Sequence, residues 1–346
     1  MKRKLMEYLC CPVSMDELEL QIIEEYGENN EVISGVLFSN SEMVYPIVKG
    51  VPRMKLESLL EFNDFLFQHV DDWKERLRKI QKRHGALIKD AQKKNISTSR
   101  SFGLEWSFFD YSNDSTWGMD KTYRRERFLT LLEEDKEFLE GKSIIDIGSG
   151  NGVLTSSLSE YGCEAFGLEL SDSVENAHQY NNSANVHYVQ ADLQYPPFKR
   201  EMFDIVFSSG VIHHTNNTEL SFSIINELVK KGGKLYVWLY MPINRFKDKL
   251  FNGLRPLSTR VHPRLVAFLI YIFVSPIFLF KKLFRLTEQN YRENIVSYLD
   301  RFTPQYRFEH SPSETEIWYR KRNYDNVKVT VYDDYGYGIY GIKNAN

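Results

Sequence analysis

The chain has 346 residues, with Lys plus Arg at 44 against 47 for Asp plus Glu and a net charge of −3. That length buries a substantial core in two or three structural units, and the missing basic excess counts against a protein organised around nucleic-acid phosphates. Its three cysteines, Cys10, Cys11 and Cys163, cannot build a disulfide framework, which suits a reducing cytoplasm.

The N-terminus, MKRKLMEYLCCP, is basic and then briefly apolar, but Glu7 interrupts the apolar part, so it does not read as a signal peptide. Residues 1–56 read as short strands and turns. Residues 57–141 read as a helical linker and flap region: a charged helix around DDWKERLRKIQKRH, a polar linker KKNISTSRS, the segment FGLEW, and a helix from Tyr123 to Leu139. From residue 142 onward strand and helix alternate. SIIDIG is a short apolar run closed by glycine, as a buried parallel strand requires. CEAFGLEL, VHYVQAD, FDIVFSS and KLYVWLY follow as strands, separated by helical segments such as DSVENAHQYNN and ELSFSIINELVKK. This alternation predicts a doubly wound α/β sheet over 142–346, interrupted by an insertion at 241–311. SETEIWYRKR reads as a helix with Ser313 and Glu316 as a capping box, and VKVTVYDD and YGIYGIK as a closing antiparallel pair.

The turn after the first of these strands is Asp146-Ile147-Gly148-Ser149-Gly150-Asn151-Gly152. Gly148 and Gly150 lack Cβ atoms, so a ligand can approach the backbone, and the following helix offers free N–H groups. A structural turn is the competing reading. Glu169 closes the second strand, where a carboxylate accepts both hydrogens of a ribose diol. A dinucleotide fingerprint needs a small residue where Val153 stands, so the loop suits a ligand without a pyrophosphate. Asp192 ends the third strand, within reach of an adenine amino group or as a turn cap; Asp204 reads as structural.

DIGSGNG, LELS, QADLQYPPF, FDIVFSSGVIHHT and LVKKGGKLYVWLY, in this order over 143–240, resemble the successive motifs of class I S-adenosylmethionine (SAM)-dependent methyltransferases of the small-molecule type. The resemblance implies a Rossmann-like seven-stranded sheet and SAM as cofactor. It also implies roles. Asp146, Gly148 and Gly150 would surround the methionine part, with Ser208 and Ser209 beside it. Glu169 would take the ribose, and Asp192 with Leu193 the adenine. Residues 9–54 resemble the small zinc ribbon that often precedes such domains. The four cysteine positions of that ribbon fall on Cys11, Ser14, Phe38 and Ser41, and one thiolate cannot hold tetrahedral zinc, so a degenerate, metal-free unit is expected.

FGLEW, with Trp106, is similar to segments in methyltransferases that tailor glycans and natural products, and reads either as a flap or as core aromatics joining two units. The segment from Asp300 to Tyr306, with His310, resembles the same group; Asp300, Tyr306 and His310, together with Tyr240, are candidate acceptor contacts. Residues 265–280 are the most apolar stretch, short of the ~20 residues needed to cross a bilayer. A buried cap helix is expected there, with a homodimer contact and a peripheral membrane contact as alternatives. His213 and His214 leave the fourth strand at the ligand edge, and either serves as general base or packs against the loop. The expected function is O-methylation of a hydroxyl on a small-molecule or glycan acceptor in a natural-product or surface-polysaccharide pathway. The alternatives are N- or C-methylation, or a non-catalytic SAM-fold binding module. A nucleic-acid acceptor is not expected.

Overall fold

The computed structural model describes residues 1–27, 30–107, 119–180, 183–242, 253, 255, 257–286 and 291–345. The first strands are β1 (Leu18–Tyr26), β2 (Glu31–Ser39), β3 (Val44–Val48) and β4 (Val51–Pro52), an antiparallel sheet in that order. Lys49 (φ 53°) and Gly50 (φ 74°) make the turn between β3 and β4 with both residues left-handed, as a tight hairpin needs. Cys11, Ser14 and Ser41 do converge. The Cys11 Sγ lies 3.3 Å from the Tyr45 hydroxyl and 3.6 Å from Ser41 Oγ, and Ser14 donates to Ser41 at 2.9 Å. A hydroxyl cluster thus fills the space between these loops. Phe38 lies apart, with the Arg76 guanidinium 5.3 Å above its ring.

Helices α1 (Ser58–Glu61) and α2 (Asn63–His69) lead into α3, which runs unbroken from Trp73 to Trp106. The linker expected at KKNISTSRS is therefore part of the C-terminal half of a 34-residue helix. Its polar residues are held by distant partners: Asn95 donates to Glu57 at 3.2 Å, and Ser101 bonds Thr303. Tertiary packing overrides their weak helix propensity. Helix α4 (Lys121–Leu132), capped by Asp120, ends earlier than expected, with a separate turn at Glu137–Leu139.

The second sheet has seven strands: β5 (Ser143–Ile147), β6 (Glu164–Glu169), β7 (Val186–Gln190), β8 (Phe203–Ser209), β9 (Val229–Tyr240), β10 (Tyr324–Tyr332) and β11 (Gly336–Lys343). Their spatial order is β10-β11-β9-β8-β5-β6-β7. Strands β5 to β9 are parallel, and β11 inserts antiparallel between β9 and β10. Helices α5 (Val153–Leu158), α6 (Ser173–Gln179) and α7 (Thr218–Asn226) make the crossovers. This is the doubly wound, Rossmann-like α/β architecture expected from the sequence. The strand order reverses between β5 and β8, and a crevice opens at such a switch point. Asp204 accepts from Ser143 N–H (2.9 Å) and from Lys230 (2.8 Å), stitching β8 to β5.

Between β9 and β10 lie α8 (Pro263–Leu283), α9 (Tyr291–Phe302) and α10 (Pro312–Arg320). The α10 cap is Ser311, whose hydroxyl accepts from Glu314 N–H, and not Ser313. Pro312 takes the first helical position, where its missing N–H is no loss, and so fixes the start two residues early. The buried cap helix expected at 265–280 is not what forms. Only one stripe of α8 is packed: Val266, Ala267 and Ile270 against Ile295 and Leu299 of α9, and Phe278 against Tyr291; most of its large side chains are exposed.

The N-terminal sheet sits on the β7 edge of the large one. Arg53 bridges Gln190 in parallel, Met54 N–H donates to Gln190 C=O at 2.7 Å, and Leu9 pairs with Phe198. The fully buried Arg53 guanidinium donates to Gln190 Oε1 (2.9 Å) and to Glu175 (2.5 Å). Hydrogen bonds to a charged group contribute about 1.5–3 kcal/mol. We expect Arg53→Met, which keeps the aliphatic stem, to lower Tm by roughly 3–6 °C in differential scanning calorimetry. An unchanged Tm would mean that apolar contacts alone hold the two sheets together.

Candidate active site

Strand β5 delivers Asp146 and the glycine loop to the switch point. Gly148 (φ 76°) and Gly150 (φ 55°) are left-handed, a conformation that side chains disfavour. A Cβ on Gly148 would strike Val211, and one on Gly150 would strike the Trp106 indole. The space over Gly150, expected for a ligand, is thus occupied by the last residue of α3; Gly148, Ser149 and Asn151 line the cavity instead. Asp146 is buried and accepts from Thr155 Oγ1 at 2.8 Å; burial raises its pKa to about 6.

Glu169 ends β6 fully enclosed. Its Oε2 accepts from Gly150 N–H (2.9 Å) and its Oε1 from Ser171 N–H (2.8 Å). Burial pushes its pKa up, and these backbone donors oppose that shift. Asp192, just beyond β7, accepts from Gln194 N–H at 2.8 Å, so it caps its turn while also facing the cavity. Burial raises its pKa too. Leu193 lines the same wall. Ser208 does not line it: its hydroxyl is buried without a hydrogen-bond partner, while Ser209 faces the cavity, because successive strand residues point to opposite faces.

The cavity has a volume of about 840 Å³. Besides the glycine loop it is lined by His214, Tyr240, Asp300 and Tyr306, and by Trp106, whose indole lies over Gly150. His214 stands in the turn Ile212–His214 that follows β8. Its Nδ1 is 2.8 Å from the Tyr306 carbonyl oxygen. A carbonyl only accepts, so Nδ1 carries the hydrogen and Nε2 keeps its lone pair. Nε2 is 3.7 Å from Asp300 Oδ1, and the Tyr240 hydroxyl donates to Asp300 Oδ2 at 2.6 Å. Burial lowers the His214 pKa, which favours the neutral ring, with Asp300 acting in the opposite sense. The Arg307 guanidinium lies 3.8 Å above the Tyr240 ring and completes the packing.

Two candidates lie elsewhere. His213 is fully buried off the cavity, its ring nitrogens have no hydrogen-bond partner, and burial holds its pKa well below the usual value. His310 pairs with Glu314 at 2.9 Å and packs on Trp318, away from the cavity.

Sequence reasoning took FGLEW as a flap or as core aromatics but singled out only Trp106; Phe102 and Glu105 of the same segment were missed as individual site residues. Both sit on the last turns of α3 and line the cavity. Phe102 packs edge-on against His214, with 5.2 Å between ring centroids. Glu105 is buried with Oε2 unpartnered, and burial, with Asp300 and Glu169 nearby, raises its pKa well above the usual range. The signal was present: Ser101 and Glu105 are one turn apart and share the buried face of the helix. Among the described residues, no group of three His, Cys, Asp or Glu side chains is placed to hold a metal ion.

Residues 145–237 match the family model described as "Methyltransferase domain". The chain is 29% identical over 123 residues to a ubiquinone biosynthesis O-methyltransferase of Coxiella burnetii, covering 34% of this chain and 51% of that one. It is 23% identical over 182 residues to the sterol 24-C-methyltransferase of Saccharomyces cerevisiae, covering 47% and 48%. It is 31% identical over 118 residues to phosphoethanolamine N-methyltransferase 2 of Caenorhabditis elegans, covering 32% and 27%. The chain thus spans about half the length, or less, of these relatives. Their names cover methylation at oxygen, carbon and nitrogen.

Proposed function

We propose that this chain transfers a methyl group from SAM to a hydroxyl of a small-molecule or glycan acceptor, with residues 142–346 as the catalytic unit and 241–311 as its acceptor-side insertion. One observation carries the reading: Glu169 and Asp192, at the ends of adjacent strands, line the same cavity as His214, whose Nδ1 is engaged by the Tyr306 carbonyl and whose Nε2 is therefore the nitrogen left for an acceptor. The residues fit the donor. SAM is a sulfonium with an α-ammonium group, and Asp146, Glu105 and Glu169 line the cavity with carboxyls whose pKa burial raises and a bound cation would lower again; the unpartnered Glu105 Oε2 and Ser149 Oγ are buried polar atoms that need a partner. When bound, SAM supplies an activated methyl group. The protein supplies the rest. Glu169 and Asp192 orient the nucleoside, Trp106 and Phe102 exclude water, and His214 Nε2 takes the acceptor's proton as it attacks. Asp300, held by Tyr240, then faces the imidazolium that forms. A hydroxyl is un-ionised at neutral pH and a poor nucleophile until such a base takes its proton, which favours attack by oxygen among the three kinds of methylation represented by the relatives.

The test is incubation of the purified protein with cell extract and methyl-labelled SAM, followed by mass spectrometry. A discrete metabolite carrying the label at oxygen is expected. Absence of SAM binding in calorimetry, with NAD bound instead, would overturn the reading.

A further inference from the structure

The exposed side of α8 is the largest feature that the catalytic reading leaves unused. Phe268, Phe273, Ile277, Leu279 and Leu283 project from it, with Phe273 67% and Leu279 62% exposed. Large apolar patches on a folded surface mark contact sites. The charge around this one is one-sided. Arg260 and Arg264 stand at its start and Lys281, Lys282 and Arg285 at its end, all exposed, and residues 257–286 contain no Asp or Glu in a chain that is acidic overall. We propose that α8 docks the protein on an anionic membrane surface, lying in the headgroup plane with its apolar side chains inserted and its terminal cations on lipid phosphates.

Charge and packing favour this occupant over others. In a dimer formed through α8, basic ends would meet basic ends in either orientation. In a membrane span, the stripe at Val266, Ala267 and Ile270 would have to leave Ile295 and Leu299. Lying flat keeps that packing and faces only the unpacked side to lipid. The surface also adjoins the cavity: Lys281 of α8 and Ser297, Tyr298 and Asp300 of α9 line it. Resting on the methyltransferase reading, the acceptor class follows: an amphiphile whose hydroxylated head reaches His214 while its apolar tail stays in the bilayer.

The test is co-sedimentation of the full chain with phosphatidylcholine vesicles, with and without phosphatidylglycerol. Binding at least tenfold tighter to the anionic vesicles is expected, falling when salt is raised to ~0.5 M. Phe273→Ser with Leu279→Ser, which touches no packed position, should lose at least tenfold in vesicle binding while SAM affinity by calorimetry is unchanged. Three results would overturn the proposal: no sedimentation with either vesicle; a dimer in light scattering that the double variant abolishes; or membrane association that resists alkaline carbonate, which indicates a span. Vesicle binding without SAM binding would uphold the docking surface while removing the catalytic reading and, with it, the acceptor class.

Discussion

Replacing His214 with glutamine should lower kcat by ~10²–10⁴-fold, the contribution of a positioned base, with SAM affinity nearly unchanged. The Tyr306 carbonyl holds the Nδ1 hydrogen, so the basic lone pair is on Nε2. That nitrogen faces Asp300 Oδ1 across 3.7 Å, where a newly formed imidazolium would be stabilised. Because burial lowers the His214 pKa from 6.5, the active neutral form persists below that pH. The acid limb of the kcat profile should therefore fall below pH 6.5. Asp300 raises the pKa, so Asp300→Asn should move the limb further down. A purely structural role for Asp300 would leave the limb in place. His213→Gln should spare the limb, since neither His213 nitrogen meets the cavity. Full kcat in His214→Gln across ~pH 6–9 would remove this residue from the base role.

Glu169→Ala is expected to weaken SAM binding by roughly ten- to hundredfold, the range of a lost hydrogen bond to a charged group at about 1.5–3 kcal/mol. The carboxylate also ties Gly150 N–H to Ser171 N–H, and its loss frees the glycine loop as well. Glu169→Gln separates the two roles. It keeps one acceptor for the loop but has no charge to offer a diol, so calorimetry should place it between the parent and the alanine variant. Unchanged affinity in both variants would show that the ribose is held elsewhere.

The large sheet was legible because its strands contain short apolar runs, the first three closed by glycine or an acid, and each such run has one sensible burial. The same local logic failed where partners are remote. KKNISTSRS reads as a linker until Asn95 meets Glu57 and Ser101 meets Thr303, contacts that no window of neighbouring residues contains. Helix α8 reads as core because it is apolar on nearly every side, and nothing in its pattern says that only one stripe has a protein partner. Adjacent histidines are indistinguishable by period; the turn at Ile212–His214 sends one ring into the cavity and the other into the core. Trp106 was singled out for its aromatic ring, whereas the neighbouring Glu105 became visible only once α3 was seen to continue through it.

The seating of the N-terminal sheet on the β7 edge also governs how the chain can be made. Lys2 donates to the Val186 carbonyl at 2.5 Å, and Cys10 N–H to that of Pro197 at 3.0 Å. Lys2 and Cys10 thus wait for partners synthesised almost two hundred residues after them. During that interval the flank of the early sheet is bare, a state open to misassembly. Once β7 arrives, the early sheet covers one of the two strand edges of the large sheet, an edge otherwise open to pairing with another chain. A fragment starting after residue 56 would lack this cover, and its failure to stay in solution would report on a missing edge strip rather than on any defect in catalysis.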